Sequence, residues 1–297
     1  MLLLRVTLVA AALSAFAVAP AAAQATPAAA QAAPPDAATA FAERSALLHA
    51  MQRCPLLSDE ELTALAAGAA QARSALLRGG WTQTRIEALR SRAIVAVDAR
   101  ACTDPALRQS AAQAQAGFVA WSRLPGMHFP GEVAAWRAAR APDADGWYLR
   151  QEGRFGSILG VREGEDGPVV AFAAPLTANS PEPAFGILSF RDAARAPQSL
   201  IGVPGRDGQG LAAVSASPAM ARQTWAQERS VVVTEDGRRL AILAFPVNAF
   251  DGVEALDPRE AIEVRLGRTV GETGARLYFE VGDLVAARAF LAVQPTP

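Results

Sequence analysis

The chain has 297 residues, with 28 basic and 29 acidic side chains, a formal net charge of -1 and two cysteines. A charge this close to zero gives no electrostatic reason to expect nucleic acid as a partner. Two cysteines are too few for a small disulfide-stapled scaffold, and the 51% hydrophobic content excludes an acidic disordered chain.

Residues 1–25 have the pattern of a secretion signal. Arg5 gives a positive N-terminus, residues 6–19 are apolar, and Ala21-Ala22-Ala23 and Ala23-Gln24-Ala25 are small-x-small cleavage patterns. The apolar segment is shorter than the roughly 20 residues that a bilayer span needs. The sequence therefore predicts a cleavable Sec-type signal and a periplasmic or secreted protein with no stable membrane span. The alternative interpretation is an N-terminal membrane anchor.

The next segment predicts a spacer followed by helices. Residues 26–36 are rich in alanine, proline and glutamine and cannot bury a core, so they predict a flexible spacer. Residues 37–124 carry apolar side chains at helical spacing and predict a bundle of about four helices. Three helix starts are marked by capping residues, namely Ser58 with Glu61, Thr84 with Glu87, and Asp104 before Pro105.

The two cysteines lie at matching positions of this bundle. Cys54 follows the first predicted helix and Cys102 follows the third. In an up-down bundle these two helices end on the same side, so the spacing predicts a disulfide between Cys54 and Cys102. A redox-active or metal-ligating pair is the alternative, but the two residues do not form a Cys-x-x-Cys motif.

Residues 125–146 contain several prolines and glycines and predict a hinge between the two halves, with a short helix over residues 132–140. Connections of this kind often carry binding residues. The sequence therefore predicts a possible binding site formed by Trp121, His128, Trp136, Asp143, Asp145 and Trp147. The alternative interpretation is that the tryptophans pack one half against the other.

The hinge also contains a short acidic motif that ends in glycine. Asp143-x-Asp145-Gly146 is similar to the start of a calcium loop, but the twelfth position is Arg154, where such a loop needs a carboxylate. The motif therefore predicts a turn and no metal site.

Residues 147–297 alternate short β-type segments with turn sequences and predict an antiparallel β-sandwich or barrel-like domain. The predicted strands are 147–151, 155–162, 168–174, 184–191, 199–203, 229–234, 238–245, 261–267 and 275–281. A C-terminal helix is predicted after Asp283, with Leu284, Ala287 and Leu291 on one face. The fold class predicted for the whole chain is α+β.

Two short segments of this half resemble the small exported β-domains of the invasion-associated locus B type. They are Gly146-Trp147-Tyr148-Leu149 at its start and Gly282-Asp283-Leu284 at the closing helix. The resemblance implies an exported β-domain. Those domains usually carry cysteines, whereas residues 147–297 have none.

The sequence contains few of the side chains and motifs that catalysis commonly uses. The two histidines are His49, in a predicted helix, and His128, in the hinge, and the chain has neither a Gly-x-Ser-x-Gly elbow nor a phosphate-binding loop. No catalytic residue, metal or cofactor is therefore predicted. We expect an exported cell-envelope protein that binds an envelope component or a small ligand, or has a structural role, without catalysis. The alternative is an exported hydrolase that uses carboxylates near the hinge.

Overall fold

The computed structural model describes residues 36–177, 180–201, 215–234, 237–269 and 274–293. Within them the chain forms N-terminal helices, two antiparallel sheets and a C-terminal helix, which confirms the α+β class. The predicted signal and nearly all of the predicted spacer lie outside the described residues. No helix in the described part is long and apolar enough to span a bilayer.

The described chain contains five α-helices and eleven strands. The helices are α1 (Ala37–Met51), α2 (Asp59–Arg78), α3 (Gln83–Asp98), α4 (Pro105–Ser122) and α5 (Leu284–Ala292). The first strands are β1 (Gly126–Phe129), β2 (Trp136–Ala139), β3 (Trp147–Glu152), β4 (Ile158–Gly164), β5 (Gly167–Leu176) and β6 (Phe185–Arg191). The remaining strands are β7 (Ala221–Trp225), β8 (Glu228–Val233), β9 (Arg239–Phe245), β10 (Ala261–Gly267) and β11 (Ala275–Glu280).

The helix starts follow from capping side chains. At α2, the Ser58 hydroxyl accepts the backbone N–H of Glu61 while the Glu61 carboxylate accepts the N–H of Ser58, which confirms the predicted capping box. Asp104 caps α4 as predicted. The start of α3 differs from the prediction, because Thr82 rather than Thr84 is its N-terminal cap.

The strands form a seven-stranded sheet in the order β1-β2-β3-β4-β5-β9-β8 and a four-stranded sheet in the order β11-β10-β6-β7. Phe172 of β5 and Phe279 of β11 meet edge-on across the core, with ring centroids 6.1 Å apart. The sheets approach closely at Gly186, where an added Cβ would lie 2.3 Å from Leu243 Cδ1. The two sheets therefore share one apolar core, as in a sandwich.

The C-terminal helix α5 lies between α2 and the β1–β2 end of the large sheet. Its side chains Leu284, Ala286, Ala287 and Phe290 are fully buried. The Phe290 ring packs edge-on against Trp121 of α4, with a centroid distance of 5.3 Å. Helix α5 thus joins the helical part of the chain to the sheets.

The segment predicted as a hinge contains the hairpin β1–β2, which extends the large sheet beside β3. The predicted helix over residues 132–140 is wrong. Its alanines favour a helix locally, but Trp136 and Ala138 point into the core while Arg137 points outward, as a strand requires. The Trp136 indole N–H donates to the carbonyls of Glu280 and Val281 at 3.1 and 3.0 Å and so holds β2 in place.

Two strand predictions also need correction. Strand β7 was not predicted, because only Ala221 of its five side chains is buried and the segment lacks apolar alternation. The strand predicted over residues 199–203 is wrong for residues 199–201, which are not in a strand. Residues 202–203 lie outside the described part of the chain.

The predicted disulfide is present. Cys54 and Cys102 are bonded, with Cα atoms 5.3 Å apart, and the bridge joins the segments that follow α1 and α3. Leu47, Met51 and Cys54 pack with Leu107 of α4 beside it, so the bridge holds three helices at this end of the bundle.

We expect a Cys54→Ser/Cys102→Ser double variant to lose about 4 kcal/mol of unfolding free energy, because its unfolded chain is no longer cross-linked. Urea denaturation measures the loss. Thiol alkylation of the unaltered protein is the control and should label both cysteines only after reduction. An unchanged denaturation midpoint in the double variant would contradict a stabilising role for the bridge.

A buried ion pair joins α2 to α5. Asp283, at the N-terminus of α5, accepts a hydrogen bond from Arg78 of α2 at 3.0 Å, and the two side chains are 1% and 16% exposed. Burial raises the pKa of Asp283, and the hydrogen bond and charge of Arg78 only partly oppose it. Folding therefore favours the protonated form, and the stability that Asp283 contributes is lost as the pH rises through its folded-state pKa.

We expect Arg78→Met to destabilise the protein by about 3–5 kcal/mol at neutral pH, because it leaves the Asp283 carboxylate buried without a cation. The loss should shrink at acidic pH, where Asp283 takes up a proton. Urea denaturation across the two pH ranges measures the difference. The matched Arg78→Met/Asp283→Leu variant should recover much of the loss at neutral pH, and a loss that does not vary with pH would contradict the assignment.

Candidate functional site

A cleft of about 590 Å³ lies between α1, α2, α3 and α4. We call it the bundle cleft. Its lining includes Leu107 near the start of α4 and Trp121 near the end of the same helix. At about 1.5 Å per residue, these two positions are roughly 21 Å apart along the helix axis. The cleft is therefore elongated and has the volume of a small-molecule site.

The cleft is open because α4 is attached mainly at its two ends. Leu107 and Ala111 pack into the cluster beside the disulfide, and Trp121 packs on Phe290 of α5. Between them, Ala114 and Gly117 are the small residues that α4 presents to the cleft, beside Gln113 and Phe118. A Cβ added at Gly117 would meet no atom within 4 Å. Small side chains in the middle of α4 therefore leave a space that larger ones would fill.

Apolar surface forms only a little more than half of the cleft wall, and four charged side chains reach it. Two of them have structural partners. The Glu61 carboxylate accepts the backbone N–H of Ser58 at 2.7 Å, and Arg100 Nη1 lies 3.5 Å from the Asp104 carboxylate. The other two, Glu43 and Arg44, are consecutive residues of α1.

Arg44 is the half-buried charge of the cleft. Its Nη1 donates to the backbone carbonyl of Gly68 at 2.6 Å. The guanidinium lies flat against α2, because glycine at position 68 has no side chain, and an added Cβ would be 3.2 Å from the guanidinium carbon. Burial lowers the pKa of Arg44, and the charge of the neighbouring Glu43 opposes this. Arg44 forms no ion pair with the described residues.

A second, shallower pocket of about 330 Å³ lies on the outer face of the β1–β2 hairpin and β3. We call it the sheet pocket. His128, Arg137 and Arg150 form one row across its three strands, since His128 is opposite Arg137 and Arg137 is opposite Arg150. Asp143 and Trp147 also line it. The pocket thus brings together three residues of the predicted binding site.

The Asp143 carboxylate is held by its own turn. Its Oδ1 accepts the backbone N–H groups of Asp145 and Trp147, each at 3.0 Å, and its Oδ2 accepts from Arg150 at 2.7 Å. This arrangement agrees with the predicted turn. Because both carboxylate oxygens have partners, Asp143 is poorly placed to act as a base toward a bound molecule.

The six predicted site residues do not form one site. His128, Asp143 and Trp147 line the sheet pocket, Trp121 lines the bundle cleft, Trp136 is in the core, and Asp145 is an exposed side chain outside both linings. The sequence prediction missed Arg44. Its signal was present, because Arg44 falls at helical spacing between the apolar residues Phe41 and Leu48 of α1.

Glu280 is one of several buried acids that lie outside both pockets, and it has a structural role. The Glu280 carboxylate accepts backbone N–H groups of Glu132, Val133 and Ala134, at 2.5, 2.8 and 3.0 Å, and ties β11 to the turn of the β1–β2 hairpin. Burial raises the pKa of Glu280, while these three hydrogen bonds oppose the rise. The described residues contain no group of three or more metal-ligating side chains.

The chain matches no known family model, and comparison with curated proteins and with solved structures also finds no match. The resemblance to exported β-domains therefore stays an expectation from two short sequence segments. The two pockets are the features of the described chain from which a function can be inferred.

We expect Asp143→Ala to lower the unfolding free energy by about 1–3 kcal/mol, because Arg150 and two backbone N–H groups lose their acceptor. Asp145→Ala is the matched control and should change it by less than about 0.5 kcal/mol, because its side chain is exposed. Thermal and urea denaturation of both variants measure the effects. Equal stability of the two variants would show that Asp143 does not organise the turn.

Proposed function

We propose that this chain is an exported, non-catalytic binding protein of the cell envelope and that it holds a small apolar molecule in the bundle cleft. The observation that carries the proposal is the elongated cleft of about 590 Å³ between α1, α2, α3 and α4. Apolar clefts between the helices of a bundle are common ligand sites. An envelope component or a free small molecule of this size could occupy it.

The chemistry of the lining favours binding over reaction. The lining contains no histidine or cysteine. Of its two carboxylates, Glu61 accepts the N–H of Ser58 as part of a helix cap, which leaves Glu43 without a second free acid or base. Acid–base catalysis needs a positioned proton donor or acceptor at the reacting atom, and paired carboxylates are the usual form when histidine is absent.

Two observations support export as part of the proposal. The sequence of residues 1–25 has the charge, length and cleavage pattern of a secretion signal. The disulfide between Cys54 and Cys102 suits an oxidising compartment such as the periplasm.

The alternative, a hydrolase that uses carboxylates near the hinge, has less support. Asp143 is bound by Arg150 and by two backbone N–H groups, and Asp145 does not line the sheet pocket beside it. A substrate whose turnover is lost in Asp145→Asn, with an unchanged unfolding midpoint, would restore this alternative.

Filling the cleft tests the proposal. We expect the protein to bind a neutral fluorescent apolar probe such as N-phenyl-1-naphthylamine and Gly117→Leu to weaken that binding at least about tenfold, since the new side chain occupies open space. The variant should remain folded, because glycine inside a helix costs roughly 0.5–1 kcal/mol relative to alanine. Fluorescence titration measures binding, and circular dichroism checks the helices.

The matched control is Ala116→Leu, which adds the same side chain at the neighbouring exposed position of α4 outside the cleft lining. It should leave probe binding unchanged. Equal binding by Gly117→Leu and the unaltered protein would place the probe elsewhere and overturn the proposal, as would the absence of any binding by the unaltered protein.

A further inference from the structure

We infer that the bundle cleft selects an amphipathic anion, a molecule with one carboxylate or phosphate head and a chain-like apolar tail, and that Arg44 binds the head. This inference rests on the proposed function, because it names the class of molecule that the same cleft would take. Neither a head group nor a charge preference follows from the cleft volume alone.

Arg44 provides the first step. A half-buried guanidinium still needs polar partners for its N–H groups, because a buried donor without a partner costs free energy. The described residues give Arg44 a backbone carbonyl, that of Gly68 at 2.6 Å, and no carboxylate. A guanidinium has five N–H donors in a fixed fork. Donors therefore remain for an anion that enters the cleft.

The other charges of the lining do not compete for that anion. Arg100 is next to Asp104, with Nη1 to Oδ1 at 3.5 Å, so its charge is largely balanced. Of the two acids in the lining, Glu61 is used as a helix cap, and Glu43 is exposed and acts on Arg44 only through its charge. Arg44 is thus a cation of the cleft that forms no ion pair with the described residues.

The shape of the cleft defines the rest of the ligand. Leu47 and Leu65 line it together with Val97 and Leu107, and Phe118 and Trp121 line it further along α4. The lining residues of α4, from Leu107 to Trp121, extend over about four turns of that helix, at about 3.6 residues per turn. A linear alkyl or acyl chain would bury its surface along this wall, and a compact polar solute would not.

The fixed position of the guanidinium adds to selectivity. Gly68 allows Arg44 to lie against the α2 backbone, so the group is held by a hydrogen bond before any ligand binds. A head group then meets an ordered donor set, and little side-chain entropy is lost on binding. Charge-assisted hydrogen bonds of this type are about twice as strong as neutral ones.

The experiment compares tails of equal length with different heads. Dodecanoate, dodecyl phosphate, 1-dodecanol and dodecyltrimethylammonium, each below its micelle concentration, displace N-phenyl-1-naphthylamine from the full-length mature protein. We expect one or both anions to bind at least about tenfold more tightly than the alcohol, and the cation to bind most weakly. The ratio between dodecanoate and dodecyl phosphate shows which head group is preferred.

Two variants test the role of Arg44. Arg44→Gln should bring the affinity for the anions down to that for 1-dodecanol, and circular dichroism with the urea midpoint checks that the bundle is folded. Arg44→Lys should keep part of the preference. Arg100→Gln is the matched control, because Arg100 lines the same cleft but has Asp104 beside it, and it should leave the preference intact.

The outcomes separate the two proposals. Anion preference lost only in Arg44→Gln supports the inference. Equal binding of anion and alcohol by the unaltered protein, or a preference that survives in Arg44→Gln, overturns the inference and leaves the cleft as an apolar binding site. If neither the probe nor any of the four amphiphiles binds, the proposed function itself fails and the inference fails with it.

Discussion

The burial of four side chains of α5 is the constraint on which the rest of the structure depends. Leu284, Ala287 and Phe290 have no exposed surface, so the helix must be covered by α2 on one side and by the large sheet on the other. A buried helix end also needs partners for its terminal carbonyls. Arg140, which follows β2, donates to the Phe290 carbonyl at 2.8 Å and to that of Val293. The β1–β2 hairpin and the helical part are therefore both fixed through α5.

This constraint also determines the shape of the bundle cleft. Trp121, near the end of α4, is held against Phe290, and the Arg140 guanidinium carbon lies 4.0 Å from the Phe290 ring centroid. The cluster beside the disulfide, which includes Leu47 and Met51, holds the start of α4 through Leu107. With both ends fixed, the middle of α4 cannot collapse onto α1 and α3 when its side chains are small. The space beside Gly117 is thus a result of anchoring at two distant points.

Local patterns in the sequence predicted those elements that local interactions determine. The capping box at Ser58, the start of α4 at Asp104 and the disulfide each depend on spacing along the chain, and each is confirmed. Strand β2 depends instead on the bond from the Trp136 indole to Glu280, which is distant in sequence, so an alanine-rich segment was predicted as a helix. The predicted site grouped His128, Asp143 and Trp147 with Trp121, but Trp121 lines the bundle cleft because it packs on Phe290 of α5. Arg44 could have been noticed as a cation on the apolar side of α1.

The abundance of alanine explains both the marginal bundle core and its cleft. Alanine is the best helix former, but its side chain buries little apolar surface. Each Å² of apolar surface removed from water stabilises the fold by roughly 25 cal/mol, so an alanine-rich core gains little. Helix α3 accordingly buries only Ile86 and Val97. A bundle built this way gains less from its own side chains than one built from leucine, so the covalent bridge and the contact with α5 carry more of its stability. An apolar tail in the cleft would cover apolar surface of the cleft lining. Any molecule that binds only the folded state raises the free energy of unfolding, and at concentrations above its Kd this gain grows with the logarithm of the concentration. If the bundle cleft holds a ligand as proposed, occupancy of the cleft would therefore add to the stability of the bundle.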